Sequence, residues 1–389
     1  MLSLRRGLAV ALIIHLLFSL GLPTNSVAQG SRLMMGYYVP WDARSWHALE
    51  ANADVLDIVS AQWVSVDPCG GIATTDDQTL KRFARERGIA LFPSLVTFSG
   101  WLNHRLLTEP DVRERLLASL VDYVITEDYD GFDLDLEGVE PADRAAYTSF
   151  VASLSTMLHE RGKRLSLALG PKTRDVTTGW SGAYDYAALA PHADLIMIMT
   201  YEFSGPWGGP GPIAPAPWVD DVISFVTSQI PSEKVLLGLA FYGYDWNTVS
   251  GETRALGYLD GAALAARYGT PIVLDSETAS GTFRYAAPAG TSPPALSAAA
   301  PIQHVVTRRV APHCDVSEPP RPPAREQRPP SRPGVMEEHV VWIEESGSTQ
   351  ARLQIADRYR TGGVAAWRLG QDDPGVWPIL RNWRGTTGE

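Results

Sequence analysis

The sequence predicts an α/β fold, a closed (β/α)8 TIM barrel with a small α+β insertion between its seventh and eighth strands. From Leu33 onward, short apolar segments of strand length alternate with segments whose apolar residues recur every three or four positions, as on one face of a helix. Alternating strands and helices form a parallel sheet with helical crossovers. Eight such repeats in a chain of 389 residues favour a closed barrel over an open sheet.

Eight apolar segments are the predicted barrel strands. No glycine-rich GxGxxG turn follows the first of them, which argues against a dinucleotide-binding sheet. The predicted strands are Met34–Val39, Val55–Val66, Ile89–Val96, Gly131–Glu137, Arg164–Leu169, Asp194–Tyr201, Lys234–Phe241 and Gly363–Leu369. The clearest predicted helices between them are Asp77–Arg87, Val112–Glu127, Ala142–Arg161 and Val219–Gln229.

The alternation is interrupted between the seventh and eighth strands. Residues 288–333 hold 12 of the chain's 29 prolines, a density that neither a helix nor a central strand accommodates, so this segment is predicted to be a Pro-rich loop. Around it we expect three strands and one helix, over Gly281–Ala286, Ile302–Val310, His339–Ile343 and Asp260–Tyr268. The predicted division is a first barrel part over 33–241, an insertion over 242–345 and barrel completion over 346–385.

Residues 1–28 have the pattern of a secretory signal peptide. Two arginines precede an apolar run over residues 7–22, and residues 26–28 are the small residues that a signal peptidase requires. An uncleaved membrane anchor is the alternative, but the run is short for a bilayer span and contains His15. We therefore expect a secreted protein, facing the cell wall or the medium, with no stable membrane insertion after cleavage.

The charge and the cysteine content of the chain limit the partners and the metal sites that it could have. The chain has 44 acidic residues against 33 lysines and arginines, a net charge of -11, which argues against nucleic acid as a partner. Its two cysteines, Cys69 and Cys314, are too few for a structural zinc site, and no cluster with histidine completes one. In an oxidising compartment they either pair or remain two inert thiols. We expect no cofactor.

The segment DGFDLDLE, residues 130–137, carries the most chemical information. Side chains alternate along a strand, so Asp133, Asp135 and Glu137 share one face and apolar residues the other. In a barrel the apolar face packs against the helices and the carboxylates face the interior. Neighbouring buried carboxylates do not all ionise, so at least one pKa is raised and a proton is shared.

Glu137 is the predicted general acid, because it ends its strand where barrel active sites form. Two other readings of the three carboxylates remain. They would suit a divalent cation, although no additional ligand set is evident. A merely solvated acidic strand fits poorly with so apolar an opposite face.

The same run resembles the DGxDxDxE signature on the fourth strand of glycoside hydrolase family 18, the chitinase-like enzymes. Residues 194–202, DLIMIMTYE, resemble the sixth-strand MxYD pattern, with Met199 and Tyr201 in register and Glu202 where Asp is usual. Residues 363–370, GVAAWRLG, are similar to the eighth strand, where Trp367 matches the tryptophan that forms the floor of the sugar subsite.

The resemblance runs from about Gly36 to Trp383 without the Pro-rich loop. Its details at residues 209–215 and 238–246 look most like the spore-germination, cortex-lytic branch. The small domain of that family is also inserted after the seventh strand. One departure is the third strand, residues 93–100, which lacks a clear SxGG pattern.

The resemblance implies substrate-assisted hydrolysis without metal, an exception to the two-carboxylate scheme. Glu137 would donate the proton, Asp135 would orient the substrate's 2-acetamido group, Asp133 would hold Asp135, and Tyr201 would bind the acetamide oxygen. The implied substrate-binding residues are Trp367, Met199, Tyr37 and Glu202, and packing in the core is the alternative role for Tyr37.

The function expected from this sequence is cleavage of β-1,4 bonds in N-acetylglucosamine-containing glycans, peptidoglycan-like or chitin-like, by a secreted enzyme. The partner is therefore an N-acetylated glycan. The alternative is a catalytically weak, lectin-like barrel that binds sugar, as occurs in this family when the acid is replaced. The intact Glu137 and Asp135 argue against that alternative.

Overall fold

The computed structural model describes residues 32–290, 305–309, 314–320 and 335–385. The predicted signal peptide and most of the predicted Pro-rich loop lie outside these residues. The described strands are β1 Leu33–Tyr38, β2 Ile58–Val66, β3 Ile72–Asp77, β4 Ala90–Thr97, β5 Gly131–Leu136, β6 Arg164–Leu169, β7 Leu195–Ile198, β8 Val235–Ala240, β9 Tyr242–Asn247, β10 Thr253–Gly257, β11 Val273–Leu274, β12 Gly281–Pro288, β13 Val305–Arg309, β14 Met336–Ile343 and β15 Gly363–Trp367. The α-helices are α1 Ala43–Ala51, α2 Gln78–Arg87, α3 Gly100–Thr108, α4 Pro110–Thr126, α5 Arg144–His159, α6 Tyr186–Leu189, α7 Ala216–Gln229, α8 Tyr258–Arg267, α9 Ser346–Tyr359 and α10 Val376–Gly385.

Eight parallel strands close into a barrel, which confirms the predicted fold class. Neighbouring strands follow the order β1, β15, β8, β7, β6, β5, β4, β2, and β2 pairs back with β1. The closure is visible at Met35, which is in register with Ala365 on one side and with Ile58 on the other. Helical crossovers connect successive strands, as a parallel sheet requires.

Two barrel strands are at least three residues shorter than predicted. β7 ends at Ile198 rather than at Tyr201, because the Thr200 and Tyr201 amides donate to carbonyls only two residues back instead of to a neighbouring strand. β2 begins at Ile58, because the Val55 amide donates within the turn that follows α1. In both cases local backbone hydrogen bonds replace the sheet pairing that the apolar run indicated.

The α2 helix shows ordinary capping chemistry at both ends. The α2 helix begins after Asp77, whose carboxylate accepts from the Thr79 and Leu80 amides, and it ends at Gly88. Gly88 has φ 68°, the left-handed conformation that glycine adopts without a steric penalty.

Among the described residues, no helix is both long and apolar enough to cross a membrane.

An antiparallel five-stranded sheet follows the seventh barrel strand, as the fold prediction requires. Its order is β10, β9, β14, β12, β11, and the α8 helix packs on it through an apolar cluster that includes Leu264, Phe283 and Ile343. β9 begins two residues after β8 ends, so this small sheet rises directly from the barrel rim.

The predicted strand Ile302–Val310 does not join the small sheet. Its described part, β13, instead pairs antiparallel with β3, a strand that folds back from the end of β2. A disulfide between Cys69 and Cys314, with Cα atoms 5.8 Å apart, holds the same segment to the barrel, and Glu318 accepts a 2.8 Å hydrogen bond from the Ser99 hydroxyl. The insertion therefore makes contact with the barrel far from the strands between which it is inserted.

A buried ion pair joins the insertion to the barrel. Arg352 on α9 lies 3.2 Å from the Glu344 carboxylate, and both side chains are almost completely buried. Arg352 also donates to the Ala214 and Ala279 carbonyls, while Glu344 accepts from Ser280 and from the Ala214 amide. The pair thus connects the loop after β7, the small sheet and α9.

We expect Arg352→Ala to lower the free energy of unfolding by about 3–5 kcal/mol, because it leaves the Glu344 carboxylate buried without its counterion. Denaturant unfolding followed by circular dichroism measures this change. Arg358→Ala is the matched control on the same helix, since Arg358 is exposed and its pair with Asp220 contributes at most about 1 kcal/mol. Equal losses in the two variants would contradict this account of the pair.

Candidate active site

The acidic strand β5 has the two faces that alternation predicts. Phe132, Leu134 and Leu136 are fully buried on the face toward the helices. Asp133 and Asp135 are also buried, with exposures of 0% and 4%, on the face toward the barrel interior. Buried carboxyl groups need hydrogen-bond partners or a proton, so their surroundings decide what they can do.

Asp133 lies deepest in the barrel. Its Oδ2 accepts hydrogen bonds from the Ser60 hydroxyl at 2.8 Å and the Ser94 hydroxyl at 3.0 Å. Burial raises the pKa of Asp133, and the hydroxyls that donate to it partly offset that rise. Two serines from β2 and β4 thus fix the orientation of this carboxyl group.

Asp135 is one step nearer the mouth of the barrel. Burial raises its pKa well above the usual range, and the charges of Glu137 and Asp133 raise it further. Its Oδ1 has no hydrogen-bond partner among the described residues, although it is buried. Neighbouring acids in such a setting do not all ionise, and Asp135 itself lines the cleft.

Glu137 follows the last residue of β5 and is held by its backbone. Its amide donates to the Thr97 carbonyl at 2.8 Å, and its carbonyl accepts from the Asn103 side chain at 2.7 Å. Gly138 then turns the chain with φ 69°, and a Cβ there would lie 3.0 Å from the Phe98 carbonyl oxygen. Only glycine fits this turn comfortably, and the turn directs the Glu137 side chain into the cleft.

The pKa of Glu137 is raised to about 7, first by burial and then by the charge of Glu202. A carboxyl group with this pKa is still protonated near neutral pH and gives up its proton readily. Those are the properties of a general acid that later acts as a base.

Glu202 is itself anchored. Its Oε1 accepts hydrogen bonds from the hydroxyls of Tyr242 at 2.5 Å and Tyr244 at 2.7 Å, both on β9 of the small sheet. Its backbone has φ 63°, a left-handed conformation that is uncommon outside glycine and that costs energy unless its surroundings impose it. The insertion therefore fixes the carboxylate that stands at the usual Asp position of the sixth-strand pattern.

A cleft of about 700 Å³ opens at the carboxyl ends of the strands, where barrel active sites form. It brings together Asp135, Glu137, Met199, Tyr201, Glu202 and two further predicted residues, Tyr37 and Trp367. The Tyr37 and Trp367 rings meet edge to face at 5.5 Å. Asp133 is absent from the lining because it lies beneath Asp135. Seven of the eight predicted site residues thus border one cleft, and the eighth supports it.

The three acids do not converge as metal ligands do. Within the part of the chain that the structure describes, the group that places three possible ligand atoms within 4.8 Å of one another is Asp67, Cys69 and Cys314. The disulfide removes the two thiolates of that group, so it offers no zinc site.

Several residues of the site were not identified from the sequence. Ser60, Ser94 and Asn103 lie outside the lining and hold Asp133 and Glu137 by hydrogen bonds. The cleft itself is also bordered by Gln62, Tyr242 and the exposed aromatic side chains Phe98 and Trp180. Ser94 lies in the third-strand segment that lacks a clear SxGG pattern, yet its hydroxyl binds Asp133. A serine in the middle of a mostly apolar barrel strand is the signal that could have identified Ser60 and Ser94.

Comparisons with known proteins identify the family. The sequence profile described as Glycosyl hydrolases family 18 matches residues 33–372. The uncharacterized glycosylase YvbX of Bacillus subtilis (strain 168) is 22% identical over 97% of this chain and 99% of its own length. The cortical fragment-lytic enzyme of the same organism is 27% identical over 73% of this chain, which spans only 56% of that relative.

Solved structures give the same fold. The spore cortex-lytic enzyme SleL of Bacillus megaterium QM B1551 has a TM-score of 0.72 and 25% identity, covering 90% of this chain and 73% of that one. A chitinase of Chromobacterium violaceum ATCC 12472 also has a TM-score of 0.72, with 23% identity over 91% of this chain and 99% of its own. The profile match covers most of the chain and includes the acidic strand, the insertion and Trp367. This chain therefore belongs to glycoside hydrolase family 18 and is a glycoside hydrolase.

Proposed function

We propose that this enzyme cleaves β-1,4 bonds of N-acetylglucosamine-containing glycans, peptidoglycan-like or chitin-like, by substrate-assisted retaining catalysis. The observation that carries the proposal is that one cleft is lined both by Glu137, whose pKa is raised to about 7, and by Asp135, a buried residue with an unpartnered oxygen. One group supplies a proton, and the other is ready to accept a hydrogen bond from a substrate N–H.

The reaction begins with proton transfer from the Glu137 carboxyl group to the glycosidic oxygen, as the bond to the anomeric carbon breaks. The carbonyl oxygen of the substrate's 2-acetamido group bonds to that carbon and gives an oxazolinium intermediate. Asp135 accepts a hydrogen bond from the acetamide N–H and stabilises the positive charge, while Asp133 holds Asp135 and the shared proton. Glu137, now a carboxylate, takes a proton from water, which attacks the anomeric carbon with net retention.

The remaining predicted residues bind the sugar. Tyr201 donates its hydroxyl to the acetamide oxygen, and its burial keeps the pKa of that hydroxyl well above the usual value, so it stays a donor. Trp367 forms the floor on which the sugar ring lies, with Tyr37 against its edge. Met199 completes the apolar wall, and Glu202 is placed to accept from a sugar hydroxyl.

The setting of the reaction is outside the cytoplasm. Residues 1–28 carry the signal-peptide pattern, and the Cys69–Cys314 disulfide suits an oxidising compartment. We place the catalytic barrel in residues 33–241 and 346–385, with residues 242–345 as the insertion that supplies Tyr242 to the cleft and the Tyr244 hydroxyl to Glu202.

Product analysis tests the proposal. Purified enzyme is incubated in parallel with peptidoglycan, with chitooligosaccharides and with their de-N-acetylated forms, and products are identified by mass spectrometry. We expect reducing-end N-acetylglucosamine products from at least one N-acetylated glycan and none from the deacetylated chains. Efficient cleavage of glucosamine-only chains would refute the substrate-assisted mechanism, and sugar binding without any product would favour the lectin-like alternative.

The rate should fall as the pH rises through about 7. Protonated Glu137 is the active form for the first step, and its folded-state pKa is raised to about 7, so its proton is present below that pH and lost above it. We expect kcat/KM on a neutral chitooligosaccharide to decline about tenfold per pH unit on the alkaline side. A rate that stays constant well above pH 8 would contradict the assignment of Glu137.

A further inference from the structure

A second concavity of about 310 Å³ adjoins the active-site cleft. It is formed by the loop over residues 171–181, which follows the fifth barrel strand β6, and by Trp218 from the start of α7. The two concavities share Pro171 and Trp180 as lining residues. Trp180 is 47% exposed, so a sugar chain lying in the cleft can extend over it into this groove.

The groove contains a positively charged side chain that is free to bind a ligand. Arg174 lines it and is exposed, and among the described residues its guanidinium has no hydrogen bond or ion pair. Its acidic neighbour Asp175 is already engaged, at 3.2 Å from both Lys172 and Arg144. Lys172 is buried and also donates to the Val176 and Tyr184 carbonyls. Arg174 is therefore the cation of this loop that remains available to a ligand.

The active-site cleft beside this groove is lined by acidic rather than basic side chains. Its titratable carboxyl groups are Asp135, Glu137 and Glu202, and the described residues that line it include no lysine or arginine. Because the chain has a net charge of -11, the protein repels an anionic glycan that approaches it. A carboxylate on the substrate is best accommodated where the free cation borders the cleft.

We propose that Arg174 and its groove bind a carboxylate carried by every second sugar of the substrate, as in the alternating N-acetylglucosamine and N-acetylmuramic acid chain of peptidoglycan. The carboxylate belongs to the lactyl ether of the muramic residue or to the peptide attached there. This inference rests on the proposed function and deepens it, because it makes the acidic glycan a better substrate than neutral chitin. Guanidinium binds carboxylate through paired N–H donors, which gives direction as well as charge.

The test measures kcat and KM of the full secreted chain on four glycans. These are peptide-free alternating strands with free lactyl carboxylates, the same strands with the carboxylates amidated, strands that retain their peptides, and chitohexaose. The variants are Arg174→Gln, which removes the charge, and Arg174→Lys, which keeps it. Arg161→Gln is the control, an exposed arginine before β6 at the opposite end of the barrel.

We expect Arg174→Gln to raise KM about tenfold on the carboxylate-bearing strands, with kcat and the chitohexaose kinetics unchanged. Amidation should raise the wild-type KM by the same factor and abolish the effect of the variant. Arg174→Lys should retain most of the affinity, and Arg161→Gln should behave as wild type. An effect confined to peptide-bearing strands would assign the bound carboxylate to the peptide.

An unchanged KM on every acidic strand, or an equal change on chitohexaose, would overturn the assignment of Arg174. If wild type cleaves none of the four glycans, the proposed function fails instead. Titration calorimetry with the peptide-free strands then decides the inference separately. Binding that is weakened by Arg174→Gln and by amidation supports it, and binding indifferent to both overturns it.

Discussion

Replacing Glu137 by Gln is expected to lower kcat by roughly 10²- to 10⁴-fold, because the amide keeps the shape of the side chain but has no proton to transfer to the leaving oxygen. Folding and sugar binding should remain largely intact, since the backbone of residue 137 is held by Thr97 and Asn103 independently of its side chain. Single-turnover kinetics on a chitooligosaccharide, together with calorimetric binding, measure the two properties separately.

The matched control is Glu140→Gln, three residues further along the same loop. Glu140 is exposed and does not line the cleft, so its amide variant should retain the wild-type rate. A Glu137→Gln enzyme with near wild-type turnover would contradict the assignment of Glu137 as the general acid, whatever the control variant shows.

Asp135→Asn is expected to lower kcat about 10²-fold, because the acetamide group loses the carboxylate that orients it for attack and stabilises the developing charge. The thermal midpoint should hardly fall, since an amide is neutral and relieves the burial that raises the pKa of this carboxyl group. The loss should appear in kcat more than in KM, because the interaction strengthens as the oxazolinium forms.

Asp122→Asn, an exposed aspartate on α4, is the control for the same chemical change. Its kcat and thermal midpoint should equal those of wild type. If Asp135→Asn retained the full rate, the substrate-assisted mechanism would lose its stabilising group, and a water-based mechanism would have to replace it.

Much of the site followed from one run of eight residues. The alternation of Asp133, Asp135 and Glu137 with apolar residues is a local property of an extended chain, so it survives into the barrel unchanged. The resemblance to glycoside hydrolase family 18 added Tyr201 and Trp367, which the structure places in the same cleft.

The ends and pairing partners of the strands were harder to predict from the sequence. The apolar run through Tyr201 indicated a longer sixth barrel strand. Hydrophobicity, however, does not determine which carbonyl accepts a hydrogen bond from each backbone amide. Likewise, the strand character of Ile302–Val310 was visible, whereas its partner β3 was not, because β-pairing is decided by contacts between distant segments.

The sequence by itself determined the class of fold, the acidic strand and the candidate acid, because periodicity and side-chain chemistry are properties of neighbouring residues. The tertiary structure decided the surroundings of those residues. Ser60 lies 73 positions from Asp133, and Tyr242 lies 40 positions from Glu202, yet both pairs are hydrogen-bonded. The pairing of Cys69 with Cys314, the raised pKa of Glu137 and the free charge of Arg174 beside the cleft also depend on chain segments that only folding brings together. Burial and partner geometry set hydrogen bonding and proton affinity, and neither is encoded in local spacing.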